Sequence, residues 1–491
     1  MPKNTKEVKY RKAATTPLKK FVRLKVYSTL SGKKEAIKPI KSNKINLFVC
    51  GPTVYDFSHL GHARTYIFFD SFVKYLRHMG FKVFYLQNIT DVDDKIILRA
   101  KEKGVLPQDL ALAFEKEHLK DMKLLLIDSV DKYARATDHI KEIINQVQRL
   151  LEKGYAYKIN EGVYFDISKF KGYGKLSSRT ILQAEDAVSR IDYSSSKHNR
   201  GDFCLWKLRE RQEEPSWQSP FGSGRPGWHI EDTAITEKFF GAQYDIHGGS
   251  RDIIFPHHEA EIAQMESMSG KDPLAKYWLH TGFLTVDGQK MSKSLNNSVL
   301  ISSFLERYSV QQLRFWVVKN LWRSPVDYSE SAMFEVRSAL DKVEEFLRKV
   351  SNILKQQEVK DKSKSIKKAI SKARKDFYKN LSDDFNTPKA FAAVFNLIKS
   401  TNKFLDKNLV NKKDANEIYR LFEEIDKIFG IIDFKKIKHL SIPSEVEKLL
   451  DQREELRRNK EWEKADEVRK EIEKYRYTVQ DSKNGPILKK I

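Results

Sequence analysis

Two short stretches carry side chains suited to phosphate. His59-Leu60-Gly61-His62 brings two imidazoles within a turn of each other, and Lys290-Met291-Ser292-Lys293-Ser294 gathers two ammonium groups. At the start of a helix, imidazoles act alongside the first unpaired N–H groups, which favour an anion. Two lysines on a mobile loop can fold over a triphosphate and neutralise charge on a leaving pyrophosphate. Alone, either stretch also suits a solvated cap or a basic surface loop.

The elements around them fit that use. Ile45 to Cys50 is a short apolar, β-rich run ending at Gly51-Pro52, and the helical spacing of Tyr66, Phe69, Phe72, Val73 and Leu76 predicts a helix from about His59 to Met79. A second strand is expected over Phe81 to Ile89. Strand, helix and strand of this length make a βαβ unit, so the sheet is parallel and ligand binds beyond the C-terminal strand ends. Cys50 and His59 then stand at the rim. Ile140, Ile143, Ile144, Val147, Leu150 and Leu151 keep helical spacing inside an otherwise irregular stretch, with Gly154 placed to end the helix. That stretch, 126–200, reads as an inserted lobe. The α/β pattern resumes with a strand over Tyr244 to His247, a loop at Gly248-Gly249 and a strand near His280 to Val286.

The sheet therefore has two halves, 22–125 and 201–288, with the lysine-bearing loop and a connecting region over 289–330. Helical periodicity dominates 331–435, where residues 351–380 hold ten basic side chains against three acids and a flexible linker is expected near Gln356 to Ser365. A small C-terminal domain, 436–491, reads as a charged helical hairpin and a strand-like tail. The fold class is α/β: a Rossmann-like parallel sheet with an inserted lobe, then an α-helical bundle and a small terminal domain. Residues 1–21, with seven basic side chains and one acid, read as a disordered extension.

Composition sets the context. The 491 residues are 40% hydrophobic, enough for real cores, and the net charge of +23 attracts a polyanion such as nucleic acid. Two cysteines, Cys50 and Cys204, are too few for a disulfide framework, so a reducing, cytoplasmic setting is expected. No apolar run is long enough to span a bilayer, and no membrane partner is expected.

The order of His-Leu-Gly-His and then Lys-Met-Ser-Lys-Ser resembles the signature pair of class I aminoacyl-tRNA synthetases. Within that class, Cys50-Gly-Pro-Thr-Val-Tyr-Asp56, Asn88-Ile-Thr-Asp-Val-Asp-Asp-Lys95, Gly224-Arg-Pro-Gly-Trp-His-Ile-Glu231, Phe255-Pro-His-His-Glu-Ala-Glu261 and Asp383-Asp-Phe-Asn-Thr-Pro388 resemble the cysteinyl-tRNA synthetase family. The resemblance runs from about Leu24 to the C-terminus. It implies ATP-dependent activation of L-cysteine and transfer to tRNA(Cys), with Mg2+ accompanying ATP, by a monomer. It assigns His59, His62, Lys290 and Lys293 to catalysis; Gly61, Gly248, Gly249, Asp252 and Lys293 to ATP; and Thr90 and Trp228 to the cysteine pocket. Regions 331–435 and 436–491 correspond to its anticodon-binding and tRNA-binding parts. Two alternatives stay open: a ligase coupling cysteine to an amino sugar, which resembles a shorter chain, and an RNA binder with a decayed site.

The family also implies one zinc ion. Shape separates close analogues by only about 10–200-fold, whereas zinc prefers a thiolate to a hydroxyl, so coordination tells cysteine from serine. Its ligands are two cysteines, a histidine and a glutamate. Cys50, His257 and Glu261 match, the latter two spaced i, i+4 on one helical face, but Asp232 stands where the family has its second cysteine. Aspartate keeps the ligand charge and hardens the donor set, so zinc is expected on Cys50, Asp232, His257 and Glu261 with weaker affinity than at a two-thiolate site. Cys204 reads as buried packing. The acidic run Asp91, Asp93 and Asp94 reads as a structural turn, not a metal site, because it lacks calcium-loop spacing.

Overall fold

The computed structural model describes residues 23–179, 194–211, 213–291, 297–355, 364–439, 444–482 and 485–490. The expected extension over 1–21, most of the linker near 356–365, and Lys293 lie outside them. One compact unit comprises residues up to 336 with 376–391 and 427–430; a second comprises 337–375, 392–426 and 431 onward.

The first unit opens with a hairpin of β1 (Lys25–Ser28) and β2 (Lys33–Ala36), then β3 (Lys44–Val49), α1 (Leu60–His78) and β4 (Lys82–Ile89). Helices α2 (Asp94–Lys103) and α3 (Pro107–Leu124) lead to β5 (Lys132–Arg135) and α4 (Ile140–Glu152). Strands β6 (Ala156–Ile159), β7 (Gly162–Phe165), β8 (Phe203–Leu208) and β9 (Gly224–Pro226) precede α5 (Ile230–Phe240), β10 (Tyr244–Ser250), α6 (Glu259–Ser269) and β11 (Ala275–Thr281). A small sheet of β12 (Leu284–Val286), β13 (Gln289–Lys290) and, after α7 (Ile301–Arg307) and α8 (Val310–Val318), β14 (Val326–Tyr328) follows.

The main sheet has the order β11-β10-β3-β4-β5, with every pair parallel. β3 leaves for α1 and β4 on one side while β10 lies on the other, so the crevice beyond β3 and β10 is the place where connections diverge and ligands bind in such sheets. Strand β3 is apolar because both faces are covered: Ile45, Leu47, Phe48 and Val49 are fully buried. Helix α1 buries Phe69, Phe72, Val73 and Leu76, the face its spacing predicts.

Three sequence expectations change. β5 falls inside the range read as the lobe, 126–200, yet it completes the main sheet beside β4. The lobe's own sheet, β6-β7-β8-β9, is antiparallel and runs past residue 200. The strand expected near His280 to Val286 is two, β11 and β12, in different sheets, broken at Gly282-Phe283.

Arg314 on α8 is the buried keystone of this unit. Its guanidinium donates to Asp70 Oδ2 at 2.7 Å, to the Leu125 carbonyl at 2.8 Å and to the Phe429 carbonyl at 2.5 Å. Both charged side chains are fully buried, and the pair is held through Asp70 Oδ2, which also meets Lys74, while Asp70 Oδ1 has no hydrogen-bond partner among the described residues.

His118 on α3 is also buried, with its ring edge-on to Tyr66 and Tyr133. Burial lowers its pKa to about 4. An unfolded histidine titrates near 6.5, so as pH falls below that value the unfolded chain takes up a proton the native state refuses, and stability is lost. His118→Phe keeps the ring contacts and removes this loss. It is expected to gain about 2 kcal/mol at pH 5 over its effect at pH 8, measured by urea unfolding; equal effects at both pH values would refute this account.

The second unit holds most of α9 (Glu330–Lys355), α10 (Lys364–Leu381), α11 (Thr387–Leu405) and α12 (Lys412–Phe429), then α13 (Phe434–His439). Phe346 packs on Phe422, and Arg374 pairs with Glu424. The expected hairpin is α14 (Ser444–Arg458) and α15 (Trp462–Lys474), followed by the antiparallel pair β15 (Tyr477–Ser482) and β16 (Gly485–Lys490). Among the described residues, no helix is long and apolar enough to cross a membrane.

Candidate active site

A buried cluster of side chains that could hold a metal ion sits at the C-terminal ends of β3 and β10. Cys50 follows β3 directly, Asp232 lies in the first turn of α5 and Glu261 in the first turn of α6. Cys50 Sγ is 3.4 Å from Asp232 Oδ2 and 3.8 Å from Glu261 Oε1, while His257 Nε2 is 3.0 Å from both Asp232 Oδ2 and Glu261 Oε1. His257 precedes the α-helical turns of α6, on an irregular segment, yet the i, i+4 pairing with Glu261 holds.

The electrostatics call for a cation. All four residues are buried, and among the described residues the ion pairs of Asp232 and Glu261 go only to histidines. Burial, then the neighbouring carboxylates Glu261 and Asp232, pushes the Cys50 thiol up, and burial with Asp232 raises Glu261. Zinc bonds of about 2.0–2.3 Å at tetrahedral angles put donors about 3.3–3.8 Å apart, close to the spacings seen. Asp232 Oδ1 is buried without a hydrogen-bond partner. The residues fit a metal ion.

Four histidines surround the cluster that sequence reasoning did not single out. His258 Nε2 is 3.1 Å and His247 Nε2 3.5 Å from Cys50 Sγ. His258 Nδ1 meets His280 Nε2 at 2.7 Å, whose other nitrogen meets Thr29 Oγ1, while His247 Nδ1 meets the Tyr244 hydroxyl and His229 Nδ1 meets His257 Nδ1. Burial lowers the pKa of His229, His247 and His258, and holds His280 at about 3, so these rings stay neutral. Neutral imidazoles with fixed tautomers orient ligands. With Cys50, His257 and Glu261, His258 places its donor atom within 4.8 Å of the others, so it is a further candidate ligand. The doublet His257-His258 was the one visible signal.

Above the cluster, His59 and His62 cap α1 reciprocally. His59 Nδ1 accepts from Gly61 N–H at 3.1 Å and His62 Nδ1 from His59 N–H at 3.2 Å, with the rings stacked at 4.0 Å. Leu60 N–H donates to the Val299 carbonyl. The expectation of free helix N–H groups aimed at phosphate is therefore corrected: His59 and the Val299 carbonyl take the first of them. A cavity of about 250 Å³ opens here, lined by Cys50, His59, Gly61, His62, Asp252, Lys290 and Met291 among others.

The comparisons with known proteins match this arrangement. The family model for the tRNA synthetases class I (C) catalytic domain matches residues 36–338, that for the DALR domain 376–433, and that for the cysteinyl-tRNA ligase anticodon binding domain 440–485. A cysteine–tRNA ligase of Thermococcus onnurineus is 41% identical over 95% of this chain and 99% of its own length. The chain belongs to the cysteinyl-tRNA synthetase family. A cysteine–tRNA ligase of Pyrococcus horikoshii is 42% identical over the same shares. The Mycobacterium tuberculosis methionyl-tRNA synthetase solved with methionyl-adenylate shares the fold, with a TM-score of 0.59 at 16% identity over 78% of this chain and 89% of its own.

In this synthetase, Thr90 and Trp228 flank the cluster. The Thr90 hydroxyl donates to Glu231, beside Asp232, and Trp228 stacks on His257 at 4.4 Å. Gly248 and Gly249 are not a loop but the continuation of β10. A Cβ would fall 2.2 Å from the Phe69 ring at Gly248 and 2.7 Å from His258 at Gly249, so both glycines admit neighbouring rings, and neither lines the cavity. Asp252 does. Cys204 is buried in β8, apart from the cluster. Asp91 caps the Thr137 N–H, Asp93 caps α2, and Asp94 pairs with Lys207 and Arg225, which makes the acidic run a structural turn.

Proposed function

We propose that this chain activates L-cysteine with ATP and transfers the cysteinyl group to tRNA(Cys). The observation that carries the reading is the placement of Cys50, which belongs both to the buried ligand cluster and to the cavity lined by His59, His62 and Lys290. A zinc ion held by Cys50, Asp232, His257 and Glu261 supplies preference for a thiolate over a hydroxyl.

In activation, a carboxylate oxygen of cysteine attacks the α-phosphorus and the bond to the bridging oxygen breaks, so pyrophosphate leaves with the electron pair. No general base is needed, because the nucleophile is already ionised; positioning and charge neutralisation carry the step. His59 and His62 face the phosphates, and Lys290 with Lys293 take the charge gathering on pyrophosphate. Mg2+ accompanies the nucleotide. Gly61 permits close approach, Asp252 accepts from the ribose, and Gly248 with Gly249 set the strand beneath the adenosine. Thr90 and Trp228 enclose the cysteine side chain. A terminal ribose hydroxyl of the tRNA then attacks the acyl carbon and AMP leaves. We take the working unit to be a monomer, as the family resemblance implies, in the cytoplasm, as the scarcity of cysteine suggests.

Cysteine-dependent ATP–pyrophosphate exchange followed by charging of tRNA(Cys) tests the proposal. Both activities are expected. Exchange without tRNA charging would favour the amino-sugar ligase, and neither would favour an RNA binder.

A further inference from the structure

Arg64 follows His62 by two residues on α1 and is almost wholly buried. Among the described residues its guanidinium pairs with no carboxylate. Instead it donates to three backbone carbonyls from two segments: Phe283, Trp322, the latter at 3.2 Å, and Ser324. These segments run side by side, joined by Gly282 N–H to the Trp322 carbonyl and Val326 N–H to the Phe283 carbonyl, each at 3.0 Å. They approach so closely that a Cβ on Gly282 would fall 2.4 Å from the Ser324 carbonyl oxygen. Phe283 leads into β12 and Ser324 toward β14, and β12 pairs with β13, which carries Lys290. The Lys290 ammonium rests 4.9 Å from the ring of Phe283, the residue whose carbonyl Arg64 holds. Burial lowers the Arg64 pKa to about 10, so it remains charged at neutral pH.

We propose that Arg64 is a positioning residue that sets the distance between the His59–His62 pair on its own helix and Lys290 on the small sheet. This rests on the catalytic reading of Lys290 given above. Three acceptors from two segments suit the rigid, planar guanidinium fork; an ammonium has three donors too, but on one compact atom at the end of a flexible stem, so it holds that spacing poorly. A displacement of about 1 Å between catalytic groups costs about a hundredfold in rate.

Single-turnover adenylate formation at saturating ATP and cysteine tests the proposal. Arg64→Leu is expected to slow the step about a hundredfold and Arg64→Lys about tenfold, with the KM for cysteine and the metal content unchanged. In a Lys290→Ala background, Arg64→Leu should cost less than about threefold, because the group it positions is gone. If Lys290→Ala is slowed and the Arg64→Leu penalty persists in full, the inference fails alone. If Lys290→Ala forms adenylate at the unaltered rate, the reading of Lys290 falls and this inference with it. Losses in either Arg64 variant that track metal content or the cysteine KM would show a general structural role and overturn the proposal; the lysine variant guards against a leucine variant that does not fold.

Discussion

Stripping the metal with a chelator is expected to reduce the preference for cysteine over serine in pyrophosphate exchange to no more than the roughly 10–200-fold that pocket shape supplies. The reason is chemical. The pocket is ringed by Cys50, Asp232, His257, Glu261 and neutral imidazoles, none of which distinguishes a thiol from a hydroxyl as a soft-accepting ion does. Preference undiminished after chelation would end this account of selectivity. Affinity for the ion carries its own sign. Burial holds the Cys50 thiol and Glu261 carboxyl protonated to higher pH than usual, so binding must release protons and affinity climbs with pH. Asp232→Cys should tighten zinc and Asp232→Asn should loosen it, read by competition with a chromogenic chelator. If Asp232→Asn leaves zinc affinity unchanged, Asp232 is not a ligand and His258, 3.1 Å from Cys50 Sγ, takes the fourth place.

Arg314→Leu carries the largest expected loss of stability, about 3–5 kcal/mol. It strands the Asp70 carboxylate at 0% exposure and leaves the Leu125 and Phe429 carbonyls without their donor. Lys74 also reaches Asp70, at 2.9 Å, from a half-buried position it shares with Asp128, and replaces only part of the pair. The double change with Asp70→Asn should recover more than 1 kcal/mol, a coupling readable by chemical denaturation. Additive losses would mean that the two charges do not act as a pair.

What the sequence disclosed follows from range along the chain. β3, α1 and β4 were legible because their apolar spacing is local, and the two motifs were legible because each is contiguous. The ring of imidazoles was not. His229, His247, His258 and His280 come from four separate elements, and apart from the His257-His258 doublet nothing local to them signals that the sheet gathers them around Cys50. Gly248-Gly249 was misread because glycine pairs usually mark turns, whereas here packing against Phe69 and His258 demands them inside a strand. A capping role for His59 and His62 stands beside the phosphate reading in the sequence, but its reciprocal form was not legible there, because histidine is not among the usual capping residues. β5 was lost to the lobe because four residues are too few to show a period.

Asp232 has one more effect, on how the centre meets oxidants. Two sulfurs at neighbouring ligand positions can be welded into a disulfide, which expels the ion and closes the pocket until a reductant arrives. Cys50 stands beside a carboxylate instead, and the other thiol, Cys204, is shut inside β8. Peroxide reaching this centre meets a lone sulfur that starts at the sulfenic rung with no adjacent partner to trap it, so repair must come from an outside thiol.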